Sequence, residues 1–144
     1  LGLSELGSAL RYAKAFLPNE VELSKITGLR EVLAACEAVA SLGVELVIVK
    51  AGPRGCFVYD GERLSHVEAL RPKRLVDPTG AGDAFNAGLV LGLLRGLDPV
   101  SSARLGVALA TLKLERPGAS NMPTLDEFTA FLSSLGWADL LAGA

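Results

Sequence analysis

Between Asp77 and Gly96 the chain reads DPTGAGDAFNAGLVLGLLRG, a polar, glycine-broken turn that runs straight into one of its most apolar helical stretches. No other segment restricts the fold as much. On a helix beginning near Gly80, the residues Ala84, Gly88 and Gly92 fall four apart and form a stripe of small side chains, with Phe85, Leu89 and Leu93 as a large apolar stripe beside it. Such a helix has to be buried, with a neighbouring backbone close against the small stripe. At its start, Gly80, Ala81 and Gly82 are small enough for their backbone N–H groups to approach a ligand. A helix N-terminus carries about half a positive charge, so the turn suits an anionic oxygen such as that of a phosphate.

Asp83 stands in the first helical turn, where a carboxylate ordinarily just complements the helix dipole. Beside an anion site it would repel the ligand. Its sharper reading is therefore a general base that accepts the proton of a hydroxyl attacking a bound phosphate. Competing phosphate motifs are missing. There is no G-x-x-x-x-G-K-[ST], and Gly80-x-Gly82 lacks the third glycine of a dinucleotide fingerprint.

The rest of the chain alternates. Leu3, Leu6 and Leu10 recur at helical spacing, and AKAFLP after them reads as a short buried strand ending at Pro18. In NEVELSKIT, Asn19 and Glu22 occupy the positions of a capping box, whose plain meaning is a helix start. A helix is predicted from Leu29 to Leu42, closed by Gly43, and then a strand whose apolar run, Leu46 to Val49, suits burial on both faces. GCFVYDGERLSHVEA predicts a hairpin turning at Asp60-Gly61. Helices follow from about Gly80 to Arg95, Pro99 to Glu115 and Leu125 to Leu135, with a last turn in WADLLAGA. The pattern predicts an α/β layered domain with a largely parallel sheet.

Composition narrows the partners. A chain of 144 residues that is 50% hydrophobic and 21% charged suits one compact domain. With 14 Lys and Arg against 16 Asp and Glu, a net charge of -2 gives no reason to expect nucleic acid or an anionic membrane as partner. No apolar run reaches the roughly 18 residues that span a bilayer, so a soluble, cytoplasmic protein is expected. Cys36 and Cys56 lie in apolar contexts and read as buried thiols. The chain opens at Leu1, its single methionine is Met122, and its strands are fewer than a doubly wound sheet normally has. A missing remainder upstream is the expectation, and sheet surface left exposed by it would favour a homodimer.

Taken whole, Asp77-Pro78-Thr79-Gly80-Ala81-Gly82-Asp83, followed by Ala84-Phe85-Asn86-Ala87-Gly88, closely resembles the C-terminal signature of ribokinase-like carbohydrate kinases of the phosphofructokinase B type. LPNEVELSKITG resembles the family's Asn-x-x-Glu segment, VKAGPRGCFVYDG its nucleotide-side hairpin, and RPGASNMPTLDEF its closing segment. The order and spacing of the segments agree from roughly Ala15 to Leu135. The resemblance implies a ribokinase-like α/β fold of which residues 1–144 are the C-terminal part, without the N-terminal sugar-recognition half and lid.

It also implies roles. Asp83 would be the catalytic base, and Gly80, Ala81 and Gly82 the anion hole for the γ-phosphate of ATP. Asn19 and Glu22 would help to position magnesium, Glu22 through water. Lys50, Gly52 and Gly55 would line the nucleotide, with the Lys50 ammonium expected to face solvent. Asp77 and Thr79 match the start of a potassium loop found in some members, with Arg116 and Gly118 across from them, although RPGASNMP is one residue shorter than the ribokinase pattern. The implied substrate is a small sugar or related alcohol. The other reading is a truncated or catalytically silent nucleotide-binding module, against which the presence of Asp83 counts. His66 without ligand partners, Trp137 near the C-terminus and Arg54 in an exposed turn are read as ordinary structural residues.

Overall fold

The computed structural model describes residues 2–142, which form two compact units divided in the chain between His66 and Val67. The first contains α1 (Leu3–Leu10), β1 (Ala15–Phe16), α2 (Glu20–Thr27), α3 (Val32–Ala40), β2 (Leu46–Lys50), a 3-10 turn (Gly52–Arg54), β3 (Cys56–Tyr59) and β4 (Leu64–Val67), whose last residue crosses the division. The strands lie in the order β1-β2-β3-β4. β1 runs parallel to β2, Ala15 opposite Leu46. β2 and β3 are antiparallel, with Val47 opposite Tyr59 and Lys50 opposite Cys56. The expected α/β class is found, and within this chain the sheet is mixed rather than largely parallel. A parallel pair needs a crossover of a dozen or more residues, which α2 and α3 provide between β1 and β2. The connection Ala51 to Gly55 is too short for one and folds β3 straight back.

The apolar run of β2 is buried from Leu46 to Val49, as its composition predicted. Val47 and Val49 pack in one core with Leu23 of α2, Cys36 and Val39 of α3, Leu10 of α1 and Tyr59 of β3. Fully burying a Val, Leu or Ile side chain contributes about 1.5–3 kcal/mol, so this strand anchors the unit. Burial pushes the Cys36 thiol up to about 11, helped by the nearby Glu31 and Glu37 carboxylates, and the Cys56 thiol up to about 12. Both are inert thiols at neutral pH. α3 starts at Val32, later than the Leu29 expected, because Gly28 ends α2 at φ 72° and the Glu31 carboxylate accepts the Leu33 and Ala34 N–H groups at 3.1 and 2.7 Å. In the hairpin turn the Asp60 carboxylate accepts the Glu62 and Arg63 N–H groups, and Gly61 takes φ 95°.

The second unit consists of α4 (Ala81–Leu94), α5 (Pro99–Leu114), α6 (Leu125–Ser134) and α7 (Asp139–Ala142), close to the bounds that periodicity and caps predicted. The small-residue stripe on α4 does what its spacing implies. A Cβ added at Gly88 would lie 2.5 Å from the Leu105 carbonyl oxygen, and one at Gly92 2.7 Å from Ser102 Cα. The approach is reciprocal, since a Cβ at Gly106 of α5 would lie 2.8 Å from the Phe85 carbonyl oxygen. Leu105 and Ala108 of α5 meet Phe128 and Leu132 of α6, with Trp137 packed against them. Asp98 caps α5 by accepting the Val100 and Ser101 N–H groups, and Thr124 and Glu127 form a capping box on α6. Among the described residues no helix is long and apolar enough to cross a membrane.

Candidate functional site

The sequence-predicted residues fall into two groups, one in each unit. In the second unit they gather at the start of α4. Gly80 is its N-cap, held at φ 83° and ψ 0°, a left-handed conformation that a side chain would strain. A Cβ there would also meet the Ala119 carbonyl oxygen at 2.9 Å. Gly80 therefore satisfies two demands at once. It turns the chain into the helix and lets the 119 backbone lie against the turn.

α2, α3, α5 and α6 each begin under a side-chain cap, whereas α4 has none. Its Ala81 N–H donates to the Pro78 carbonyl oxygen at 3.2 Å, and the Ala84 N–H is the first taken by the ladder, to Gly80 at 2.9 Å. Between these, the Gly82 and Asp83 amides have no intrahelical acceptor. Ala81 is half-buried, whereas Gly82 and the Asp83 side chain are exposed. An uncapped helix start with exposed amides and a carboxylate at its third residue can hold an anion and take a proton beside it.

Asp77 organises the approach to this turn. One carboxylate oxygen accepts the Thr79 N–H at 2.9 Å and the other accepts the Gly118 N–H at 2.9 Å, linking two segments far apart in sequence. Hydrogen bonds from the Thr79 side chain and backbone, then from the Gly118 backbone, lower its carboxyl to about 2, with a smaller contribution from the Lys113 charge. Asp77 thus ties Thr79 to Gly118 of the facing segment. Arg116 itself turns elsewhere, its guanidinium donating to Asn121 Oδ1 at 3.4 Å and pairing with Glu127. The Thr124 N–H and this guanidinium hold the Glu127 carboxyl down at about 2.

In the first unit, Asn19 caps α2. Its Oδ1 accepts the Glu22 N–H at 2.8 Å, and Glu22 Oε2 accepts the Asn19 N–H at 2.8 Å. The capping box is real. Glu22 is exposed, and its second carboxylate oxygen lies outside the box. Asn19 is bridged to Lys50 at the end of β2, where the Lys50 N–H donates to the Pro18 carbonyl oxygen at 2.8 Å. Lys50 is half-buried and takes part in a further interaction. Gly52 and Gly55 bracket the following turn with φ 54° and 89°.

Arg54, in that turn, pairs with Glu20 and lies 5.9 Å from the centre of the Phe57 ring. His66 stacks on Phe57 at 4.8 Å and hydrogen-bonds the Arg54 carbonyl oxygen, a packing role. No cluster of three or more His, Cys, Asp or Glu able to hold a metal occurs among the described residues.

One residue at the α4 turn escaped sequence reasoning. Lys113, near the end of α5, is completely buried, and its Cε would lie 3.3 Å from a Cβ placed on Gly80. The only hint of it in the sequence is a lone lysine between Leu112 and Leu114, just ahead of Arg116-Pro117-Gly118.

A sequence profile of the pfkB family carbohydrate kinases matches residues 3–125. An uncharacterized sugar kinase of Archaeoglobus fulgidus is 38% identical over 118 residues, which is 82% of this chain and 46% of the relative. Ribokinase from Thermotoga maritima superposes with a TM-score of 0.80 at 32% identity, over 88% of this chain and 44% of that one. A putative ribokinase II from E. coli in complex with ATP and Mg2+ gives a TM-score of 0.80 at 28% identity, over 91% of this chain and 42% of that one. Other relatives are named as a cytidine kinase, a nucleoside kinase and a 2-dehydro-3-deoxygluconokinase. The chain spans under half the length of the relatives and structures just described.

Proposed function

Since this chain belongs to the pfkB family of carbohydrate kinases, we propose that it carries the nucleotide-side and catalytic-base portion of an ATP-dependent kinase that phosphorylates a hydroxyl of a small sugar or nucleoside. The observation that carries this reading is Asp83, exposed at the third residue of α4, next to amides that no side chain caps. A helix start without a protein cap leaves its donors for a ligand, and a carboxylate beside a bound anion, which it would repel, needs a reason other than complementing the helix dipole.

In the reaction the acceptor oxygen attacks the γ-phosphorus, the bond to the leaving ADP oxygen breaks, and the acceptor proton passes to Asp83. Little covalent help is needed in a loose phosphoryl-transfer transition state, so Asp83 acts chiefly by orienting the hydroxyl. Of the first-turn amides expected around Gly80, Ala81 and Gly82, that of Ala81 is already given to Pro78, so the open Gly82 and Asp83 amides would stabilise charge on the transferring group. Rigidity comes from below, where the close α4 to α5 contact leaves the helix no room to shift. Magnesium, when bound, would neutralise phosphate charge, and Glu22 and Asn19 are the residues assigned to its waters. Lys50, Gly52 and Gly55 are assigned to the nucleotide.

The test is phosphate transfer from ATP by the full-length gene product to a panel of sugars and nucleosides, beside its Asp83→Ala variant. We expect kcat to fall by about 10²–10⁴ in the variant, the range for loss of an acid–base group, with ADP affinity retained. Wild-type kcat in Asp83→Ala would remove the base assignment, and inactivity of the unmodified protein on every acceptor would remove the kinase reading.

A further inference from the structure

Lys113 is the one charged side chain that is fully buried among the described residues. Lysine is almost never found so deep unless its charge is compensated, because removing an ammonium from water is expensive. Its surroundings supply that compensation from three directions. The residue sits in the last turn of α5, whose carbonyl end carries partial negative charge. Its Nζ donates to the Arg116 carbonyl oxygen at 3.3 Å, at the entry to the loop that ends on Gly118. Its charge also acts on Asp77, the carboxylate that clasps the Gly118 and Thr79 N–H groups.

The stem of the side chain lies against the turn that opens α4. A Cβ placed on Gly80 would meet both Lys113 Cε, at 3.3 Å, and the Ala119 carbonyl oxygen, at 2.9 Å, so side-chain stem and loop backbone close over the same face of the turn. One ammonium therefore lies at the junction of the α5 terminus, the 116–119 loop and the 77–80 turn. A potassium ion in this place would have the same work: to neutralise Asp77, collect loop carbonyl oxygens and add positive charge below the first-turn amides of α4. With Asp77 already holding two N–H donors and a lysine charge, the residues present suit a bound potassium ion poorly.

We propose that Lys113 is a positioning residue that supplies, as a tethered ammonium, the positive charge beneath the Asp77 to Gly80 turn, so that phosphoryl transfer by this protein needs no monovalent cation. The inference rests on the kinase reading above. It assigns the loop a permanent cation in place of an exchangeable one. The charge holds Gly80 and the following amides in register and strengthens the field at the helix start.

Three proteins decide it, each as the full-length gene product: the unmodified chain, Lys113→Met, which keeps the stem without the charge, and Lys113→Ala, which opens a space where the ammonium was. The unmodified protein should turn over at the same rate in potassium chloride and in tetramethylammonium chloride. Lys113→Met should lose at least about tenfold in kcat, equivalent to about 1.4 kcal/mol of transition-state stabilisation, with the acceptor KM little changed and no response to potassium. Lys113→Ala should regain activity with potassium, ammonium or methylammonium but not with tetramethylammonium, and the same ions should raise its Tm in proportion to their binding.

A potassium requirement in the unmodified protein would overturn the proposal, as would full kcat in Lys113→Met. So would a folded Lys113→Ala protein, shown by native Trp137 fluorescence, whose Tm no small cation raises. If the unmodified protein transfers phosphate to nothing, the kinase reading fails, and the Tm series still decides whether a cation site stands in for Lys113.

Discussion

Replacing Gly88 by alanine tests the contact on which the rigidity of the α4 turn depends. The added methyl carbon would lie 2.5 Å from the Leu105 carbonyl oxygen, 2.8 Å from the Leu105 carbonyl carbon and 2.9 Å from Gly106 Cα. Ordinary contact begins near 3.4 Å, so the shortfall at the oxygen is about 0.9 Å. All three neighbours are backbone atoms of α5 and cannot rotate aside. Alanine gains about 1 kcal/mol over glycine in helix propensity, while forcing an extra carbon into a packed core costs about 1–3 kcal/mol. Because relief requires moving one helix axis against the other, the upper part of that range applies, and a net loss of about 1–2 kcal/mol is expected.

The assay is urea unfolding followed by far-UV circular dichroism and by fluorescence of Trp137, the single tryptophan, which packs in the core beneath α5 and α6. Val90→Ala, on an exposed face of α4, serves as control and should change stability by less than about 0.5 kcal/mol. If Gly88→Ala is as stable as the parent, or gains the roughly 1 kcal/mol of helix propensity, the two backbones do not approach as described, and the argument that α4 is clamped fails.

Acid should weaken the second unit through two carboxyls. Asp77 falls from 3.8 to about 2 and Glu127 from 4.5 to about 2, so each favours the folded state when ionised. Their contribution is full above the unfolded values and is lost as pH drops from about 4.5 to about 2, since the unfolded chain then binds more protons. An acid titration of Trp137 fluorescence should show a shallower loss in Asp77→Asn, and an unchanged slope would contradict the assignment. Asn19→Ala should cost about 1 kcal/mol in urea unfolding, with Asn19→Asp near neutral, because only the alanine removes the acceptor of the Glu22 N–H. Equal stability of the two variants would show that the cap contributes nothing.

Much of this protein is local, and local features can be read from residues alone. The capping box at Asn19, the proline start of α5 and the four-residue spacing of Ala84, Gly88 and Gly92 each act within a turn or two of chain. They appear where periodicity and cap chemistry place them. The late start of α3 was hidden because Glu31 caps by a carboxylate from a residue type not usually found at that position. The switch from parallel to antiparallel pairing at β3 was hidden because it depends on which strand the chain returns to, not on the strand's own composition.

Lys113 shows the limit most clearly. A lysine in a helix ordinarily runs its stem along apolar surface and keeps its ammonium in water, and the flanking Leu112 and Leu114 are the one hint otherwise. Its burial is decided by α5 ending under the turn that begins α4 and by the loop that carries Ala119 over Gly80, contacts between segments more than thirty residues apart. Sequence alone determined the helix start, its glycines and its carboxylate, because backbone conformation and charge are properties of adjacent residues. Tertiary structure alone decided what lies beneath that start, because desolvation of a charge depends on every segment that closes around it.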